Sequence, residues 1–95
     1  MIFQLHLPNS YASEADREWA LIAAFGNDAD KFRGYADAEI IMYAPIACAA
    51  RSAGLAYLRR TWYGAEWSGT REQFEVCRAA LPEWARRYAS EVEGY

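Results

Sequence analysis

Residues 45–62 read PIACAARSAGLAYLRRTW, and the predicted architecture depends on this stretch. Proline is favoured at the first position of a helix, so Pro45 is expected to begin one that runs to about Trp62. The apolar residues of this helix would form one stripe of Ile46, Ala49, Ala50, Ala53 and Tyr57 and a second stripe of Leu55, Leu58 and Trp62. A helix that is apolar on two sides packs between neighbours, which predicts that it lies at the centre of the fold.

The sequence before this stretch predicts one strand and then helices. Residues 2–7 alternate apolar and polar side chains, which is typical of a half-buried strand, and Pro8 ends it. Ser13 is placed to cap a helix that stops at Gly26, and Asp28 to cap a short helical turn ending at Phe32. Residues 38–44 fit a helix or a buried strand, and the alanines at both ends favour the helix.

The sequence after this stretch predicts a loop and a capped helix. Residues 64–69 begin and end with glycine and are expected to form a loop. Thr70 and Gln73 have the spacing of a capping box. Pro82 either kinks the helix that follows or starts a new one, and the apolar stripe continues through Trp84, Tyr88 and Val92.

The chain has 95 residues, a length that makes one domain covering residues 1–95. Hydrophobic residues make up 54% of it and aromatic residues 16%, which excludes an intrinsically disordered chain. The predicted fold class is mainly α, with α+β as the alternative: a compact single domain with an N-terminal β-strand and a long central helix.

Charge and hydropathy narrow the classes of partner and compartment. The net charge of −3 disfavours a general nucleic-acid binder or a protein of anionic membrane surfaces. The longest apolar stretch, residues 40–50, is shorter than the ~20 residues that a bilayer requires. The first residues lack the basic start of a secretion signal, so a cytoplasmic protein with two reduced core thiols, Cys48 and Cys77, is expected.

The chemistry of enzymes is sparse in this sequence. His6 is the single histidine, and on the polar side of a strand it is expected to be solvated. Phosphate-binding, dinucleotide-binding and nucleophile-elbow motifs are absent. Asp28, Asp30 and Glu39 match three positions of a calcium-binding loop, but Arg33 stands where that loop needs glycine. We therefore expect a protein that is not an enzyme, with no cofactor and no metal site.

One candidate binding surface combines aromatic and arginine side chains. Tryptophan, tyrosine and arginine dominate binding hot spots, because they join a large rigid area to a polar group. The predicted partner-binding residues of this cluster are Arg59, Arg60, Trp62, Tyr63 and Trp67. In the alternative interpretation Trp62 closes the core and Trp67 folds over its edge.

A second candidate surface is acidic. Residues 1–50 carry a net charge of −4 and residues 51–95 a net charge of +1. The acidic excess includes Asp28, Asp30, Asp37 and Glu39, and spaced carboxylates can mimic a phosphate backbone toward a basic groove. The alternative is that these carboxylates only keep the domain soluble.

In size, acidity and lack of catalytic motifs the chain resembles small phage-encoded inhibitors of bacterial defence, anti-CRISPR proteins among them. Its one lysine and nine arginines fit a GC-rich phage or bacterial genome. The resemblance implies a non-enzymatic inhibitor that occludes a protein partner, such as a nucleic-acid-binding effector. No site residue of this chain can be assigned from it. Two alternatives stay open: a single-stranded nucleic-acid binder using Arg59, Arg60, Trp62 and Tyr63, and a subunit that associates with itself as a homodimer.

Overall fold

A four-stranded antiparallel sheet consists of Ile2–His6 (β1), Ala56–Thr61 (β2), Gly64–Ser68 (β3) and Ala89–Glu91 (β4). The strands lie side by side in the order β2-β3-β1-β4, which makes β2 and β4 the edges. This computed structural model describes residues 1–7, 14–33, 38–61 and 64–92, and of Glu14, Asp16, Arg17 and Glu39 the backbone alone.

Five helices accompany the sheet in the described part of the chain: Glu14–Phe25 (α1), Ala29–Phe32 (α2), Ala38–Ser52 (α3), Arg71–Ala80 (α4) and Glu83–Arg86 (α5). A 3-10 turn, Gly26–Asp28, joins α1 to α2. The core lies between the sheet and α3 and α4. Phe3 stacks on Phe74 with the ring centres 4.2 Å apart, and Leu5, Ile46 and Cys77 are fully buried beside them.

The prediction of a mainly α fold is wrong, because the described residues form an α+β domain with four strands. The predicted start and end of the long central helix are also wrong. Residues 38–44 are helical, as favoured, so α3 begins at Ala38 and contains Pro45 rather than starting there. The helix then ends at Ser52, and residues 56–61 form β2.

A glycine ends α3 earlier than predicted. Gly54 has a φ of +88°, and its N–H donates to the Arg51 carbonyl at 3.0 Å. The N–H of Leu55 donates to the Ala50 carbonyl, also at 3.0 Å. This pair of hydrogen bonds is a Schellman motif, in which a left-handed residue closes the last turn and sends the chain off in a new direction.

The predicted loop at residues 64–69 is instead a central strand. β3 pairs with β2 on one side and with β1 on the other, and Ala65 and Trp67 are buried against the helices. A Cβ at Gly64 would overlap the Leu5 carbonyl, so glycine permits the close approach of β1 there. The predicted helical stripe through Tyr88 also fails, because the chain pairs with β1 as β4.

Local signals correctly predicted β1, the start of α4 and a break at Pro82. β1 forms where alternation predicted it, with Phe3, Leu5 and Leu7 buried. α4 begins with the predicted capping box: the Gln73 N–H donates to Thr70 Oγ1 at 3.1 Å, and the Thr70 N–H to Gln73 Oε1 at 2.9 Å. Pro82 starts a new helix, α5, which was one of the two predicted outcomes.

Candidate functional site

An apolar groove runs between α3 and the edge strand β2, and its volume is about 500 Å³. Leu7, Gly64 and Ala65 contribute to its lining. The two walls come from α3 (Ile40, Tyr43, Ala44, Ala47) and from β2 (Tyr57, Arg60, Thr61). We call this feature the α3–β2 groove. Its volume lies within the range of small binding pockets, about 300–1,000 Å³.

Large apolar side chains at this groove are open to solvent. Ile40 is 68% exposed on the α3 wall, and Tyr57 is 54% exposed on the β2 wall. All of β2 from Ala56 to Arg60 is exposed, because it is an edge strand with no other described strand beyond it. A bounded apolar surface next to unpaired strand backbone is a feature of interaction sites.

A β-bulge decides which arginine reaches the groove. In a regular strand Tyr57 and Arg59 would share one face and Arg60 would lie on the other. The register of β2 against β3 shifts between Tyr57 and Arg59, which leaves Leu58 without an opposite residue. Tyr57 therefore lies opposite Trp67 and Arg60 opposite Ala65, and both line the groove. Bulges commonly re-aim a side chain in this way.

Arg60 is the single charged side chain in the described lining of the groove. Among the described residues it has no ion-pair partner, whereas Arg33, Arg59 and Arg71 all have one. A guanidinium beside apolar walls is a strong donor to carboxylate or phosphate oxygens. The groove therefore combines an apolar lining with one cationic side chain.

Arg59 has a structural role on the other face of the sheet. Its Nε donates to Glu66 Oε2 at 2.9 Å and its Nη2 to Glu66 Oε1 at 3.0 Å. Glu66 is only 3% exposed, so Arg59 neutralises a buried carboxylate. Two nitrogen atoms of the Arg59 guanidinium are therefore engaged within the chain, and its predicted role in partner binding stays a prediction.

Trp67 belongs to the core rather than to an exposed surface. It is 1% exposed, and its Nε1–H donates to the Tyr43 hydroxyl at 3.1 Å. The Tyr57 ring meets it edge-on at 5.5 Å, and the Arg51 guanidinium lies 5.9 Å from the centre of its ring. The expectation of an exposed Trp67 anchor is corrected, because alternation along β3 turns this ring toward α3. Trp62 and Tyr63 lie outside the described residues.

Asp28 and Asp30, the described members of the predicted acidic surface, have cationic partners in their own chain. Arg33 bonds to both Glu18 and Asp30, and Lys31 lies 3.5 Å from Asp28. The hydrogen bonds that the Arg33 guanidinium donates to the Glu18 and Asp30 carboxylates raise the pKa of Arg33. Asp28 and Asp30 are thus part of a mixed-charge surface rather than an array of one sign. Asp37 and the side chain of Glu39 lie outside the described residues.

Other titratable groups are structural. His6 is half-buried with its ring edge-on to Tyr88, which differs from the solvated position expected. Cys77 is buried as predicted, but Cys48 is exposed, and both are free thiols.

Within the described ranges no group of three His, Cys, Asp or Glu side chains could hold a metal ion. None of the described helices is long and apolar enough to cross a membrane.

Of the residues that line the groove, Arg60 was predicted from the sequence as a partner-binding residue, whereas Ile40 and Tyr43 of the α3 wall were not. The signal was the run of two isoleucines, Ile40 and Ile41, which are both exposed on α3 although they lie in the predicted helix. An apolar pair at adjacent helical positions cannot lie wholly on one buried stripe.

Comparison of the chain with protein-family models, with curated proteins and with solved structures found no match.

Proposed function

We propose that this chain is a non-enzymatic protein-binding module that inhibits its partner by occluding part of the partner's surface, and that it binds through the α3–β2 groove. The observation that carries the proposal is the exposure of Ile40 and Tyr57 on facing walls of one apolar groove. Concave sites lined mainly by apolar and aromatic side chains are typical of binding pockets.

The chemistry of the groove supports binding rather than catalysis. Its described lining offers one guanidinium, two tyrosines and one threonine, with no carboxylate, imidazole or thiol beside them. The Tyr43 hydroxyl is already hydrogen-bonded to Trp67 and to the Leu5 carbonyl. General acid–base or nucleophilic chemistry needs a group that is free to exchange a proton with substrate.

This proposal differs in its residues from the surface predicted by sequence. Ile40 and Tyr57 replace Trp67 as the apolar anchors, and Arg60 is kept. Mimicry of nucleic-acid charge is not part of it, because Asp28 and Asp30 have cationic partners in their own chain. A nucleic-acid role is not favoured either, because Trp67 is buried and Arg59 is paired with Glu66.

A photoreactive phenylalanine analogue placed at Ile40 tests the proposal in cells that produce the protein. We expect cross-links from this position to one protein partner, identified by mass spectrometry. The matched control is the same analogue at Val76, which is 61% exposed on α4 and does not line the groove. Equal labelling from both positions, labelling of nucleic acid, or no labelling from Ile40 would contradict the proposal.

The inhibitory part is tested on the partner that this labelling identifies. The purified chain should lower the partner's activity, and Ile40→Asp should abolish this effect while Val76→Asp leaves it unchanged. Both variants place a carboxylate at an exposed helical position, so they should fold equally well. Binding that leaves the partner fully active would contradict inhibition.

A further inference from the structure

We propose that the α3–β2 groove takes an extended segment of the partner protein, which pairs with β2 as a fifth strand and sets a carboxylate against Arg60. This inference rests on the proposed function, and it specifies the form and the charge of the segment that the module recognises. It is carried by the edge position of β2, by the bulge in β2, and by the charge of the groove.

The edge of β2 favours a strand as the occupant. β2 pairs with β3 on one side, and its other side meets no described strand. In an edge strand, alternate residues point their N–H and C=O groups away from the sheet. An extended segment satisfies these groups by continuing the sheet, which is a recurrent mode of peptide recognition. The 6 residues of β2 span about 20 Å, so a segment of similar length suffices.

The groove lies where side chains of such a strand would point. Side chains of an added strand alternate between the two faces of the sheet. Those on the same face as Tyr57 and Arg60 would enter the space between β2 and α3, and contact Ile40 and Ala44. The segment is therefore expected to carry apolar side chains at alternate positions.

The positive charge of the groove indicates that the segment carries an acidic residue. Arg60 has no described counter-ion, and no described carboxylate lines the groove beside it. By contrast, Arg59 is held on the opposite face by Glu66. An aspartate or glutamate in the segment, on the same face as its apolar side chains, would satisfy Arg60. A basic segment would be disfavoured by like-charge repulsion.

The test uses the full chain and a library of random decapeptides displayed on phage. We expect the selected peptides to combine alternating apolar residues with one aspartate or glutamate. Synthetic versions of the selected peptides should bind the Arg60→Met variant about tenfold or more weakly than the wild-type chain, because a charge-assisted hydrogen bond is lost. Arg78→Met, on the exposed surface of α4, is the matched control and should leave the affinity unchanged.

Hydrogen exchange separates strand addition from simple occupation of the groove. A selected peptide should slow the exchange of the outward-pointing amides of β2, while the exposed amide edge of β4 keeps its rate. Peptides without an acidic residue, affinity that ignores Arg60→Met, or unchanged β2 amides would each overturn the inference. Selection of no peptide would overturn it too.

The same measurements distinguish the other occupants. A concentration-dependent dimer in sedimentation equilibrium, with β2 amides protected in the absence of peptide, would show that a second copy covers the edge, and would overturn the inference. Binding of octanoate to the groove without protection of β2 would identify a small carboxylate as the ligand, with the same consequence. Cross-linking of a partner from Ile40 without any selected peptide would leave the proposed function standing and refute the extended segment alone.

Discussion

The Tyr43 hydroxyl joins α3 to two strands of the sheet. It accepts a hydrogen bond from Trp67 Nε1 at 3.1 Å and donates one to the Leu5 carbonyl at 2.8 Å. Burial raises the pKa of Tyr43, so the hydroxyl stays protonated and keeps its donor. One oxygen atom thus satisfies a buried indole N–H and binds the helix to the backbone of β1.

Tyr43→Phe is expected to lower the free energy of unfolding by about 1–3 kcal/mol, because the Trp67 N–H loses its partner inside the core. Urea unfolding followed by tryptophan fluorescence measures this change. Tyr57→Phe is the matched control, since the Tyr57 side chain is exposed, and we expect a change of about 0.5 kcal/mol or less. Equal effects of the two substitutions would show that the hydrogen bonds of Tyr43 contribute nothing.

His6 makes stability depend on pH. Burial lowers its pKa below the ordinary value of 6.5. The folded state therefore binds fewer protons than the unfolded state once the pH falls below about 6.5. The stabilisation that belongs to neutral His6 is complete above that pH and is lost as the pH falls through the lower pKa of the folded state.

His6→Gln should consequently flatten the pH dependence of stability between about pH 7.5 and pH 5.5. The measurement is a series of urea unfolding curves across this range for both proteins. The wild-type free energy of unfolding should fall more steeply toward pH 5.5 than that of the variant. Parallel curves would mean that His6 is as well solvated in the folded state as in the unfolded one.

At the level of elements, the end of α3 depends on Gly54. Its φ of +88° is rarely adopted by other residues, and a Cβ there would come 2.8 Å from Gln73 Nε2. Gln73 is also the second member of the capping box of α4. One glycine therefore ends α3 and makes room for the side chain that begins α4.

Gly54→Ala is expected to destabilise the fold by about 1–3 kcal/mol, from backbone strain and from displacement of Gln73. Ser52→Ala, at the exposed last residue of α3, should change stability by about 0.5 kcal/mol or less. Thermal unfolding of both variants checks the difference. If Gly54→Ala unfolds at the wild-type temperature, the left-handed conformation is not required there.

The elements that the sequence predicts well are those with local signals. Alternation identified β1, and the spacing of Thr70 and Gln73 identified the start of α4. β2 was missed because Ala56, Leu58 and Arg59 have good helix propensity, and their pairing with β3 overrides it. β4 has only 3 residues and pairs with the far end of the chain, which no local pattern can show.

In the candidate site, too, some features can be predicted from local sequence and others depend on how the elements pack. Arg60 was predicted from residue type alone, as a cation among aromatic residues. Its position in the groove depends on a bulge, which is a property of the β2–β3 register rather than of residue type. Ile40 became part of a site only when α3 packed beside β2. Trp67 is of a residue type that is common in binding hot spots, but the alternation of side chains along β3 places it in the core.

On the scale of the whole molecule, α3 contributes both to the core and to the proposed binding groove. Ile46, Ala49 and Ala50 are buried in the core, whereas Ile40 and Ala44 line the groove and are exposed. Substitutions at the exposed positions should alter binding with little change in stability, and those at the buried positions should do the reverse. The two properties can therefore be measured separately in one helix.

The two cysteines report on global unfolding. Cys77 is fully buried in the core, and burial raises its pKa to about 11, whereas Cys48 is exposed on α3. The thiolate is the reactive form, so a thiol reagent at pH 8 should label Cys48 at once and Cys77 only when the core opens. In a Cys48→Ser variant, the labelling rate of Cys77 should then follow the population of the open state.

This rate provides a check on the stability predictions made above. A loss of about 1.4 kcal/mol should speed the labelling of Cys77 about tenfold when the core recloses faster than the reagent reacts. Tyr43→Phe and Gly54→Ala should accelerate it in proportion to their loss of stability, and Ile40→Asp should not. Labelling of Cys77 that is as fast as that of Cys48, or is unaffected by Tyr43→Phe, would mean that α4 opens locally without unfolding of the sheet.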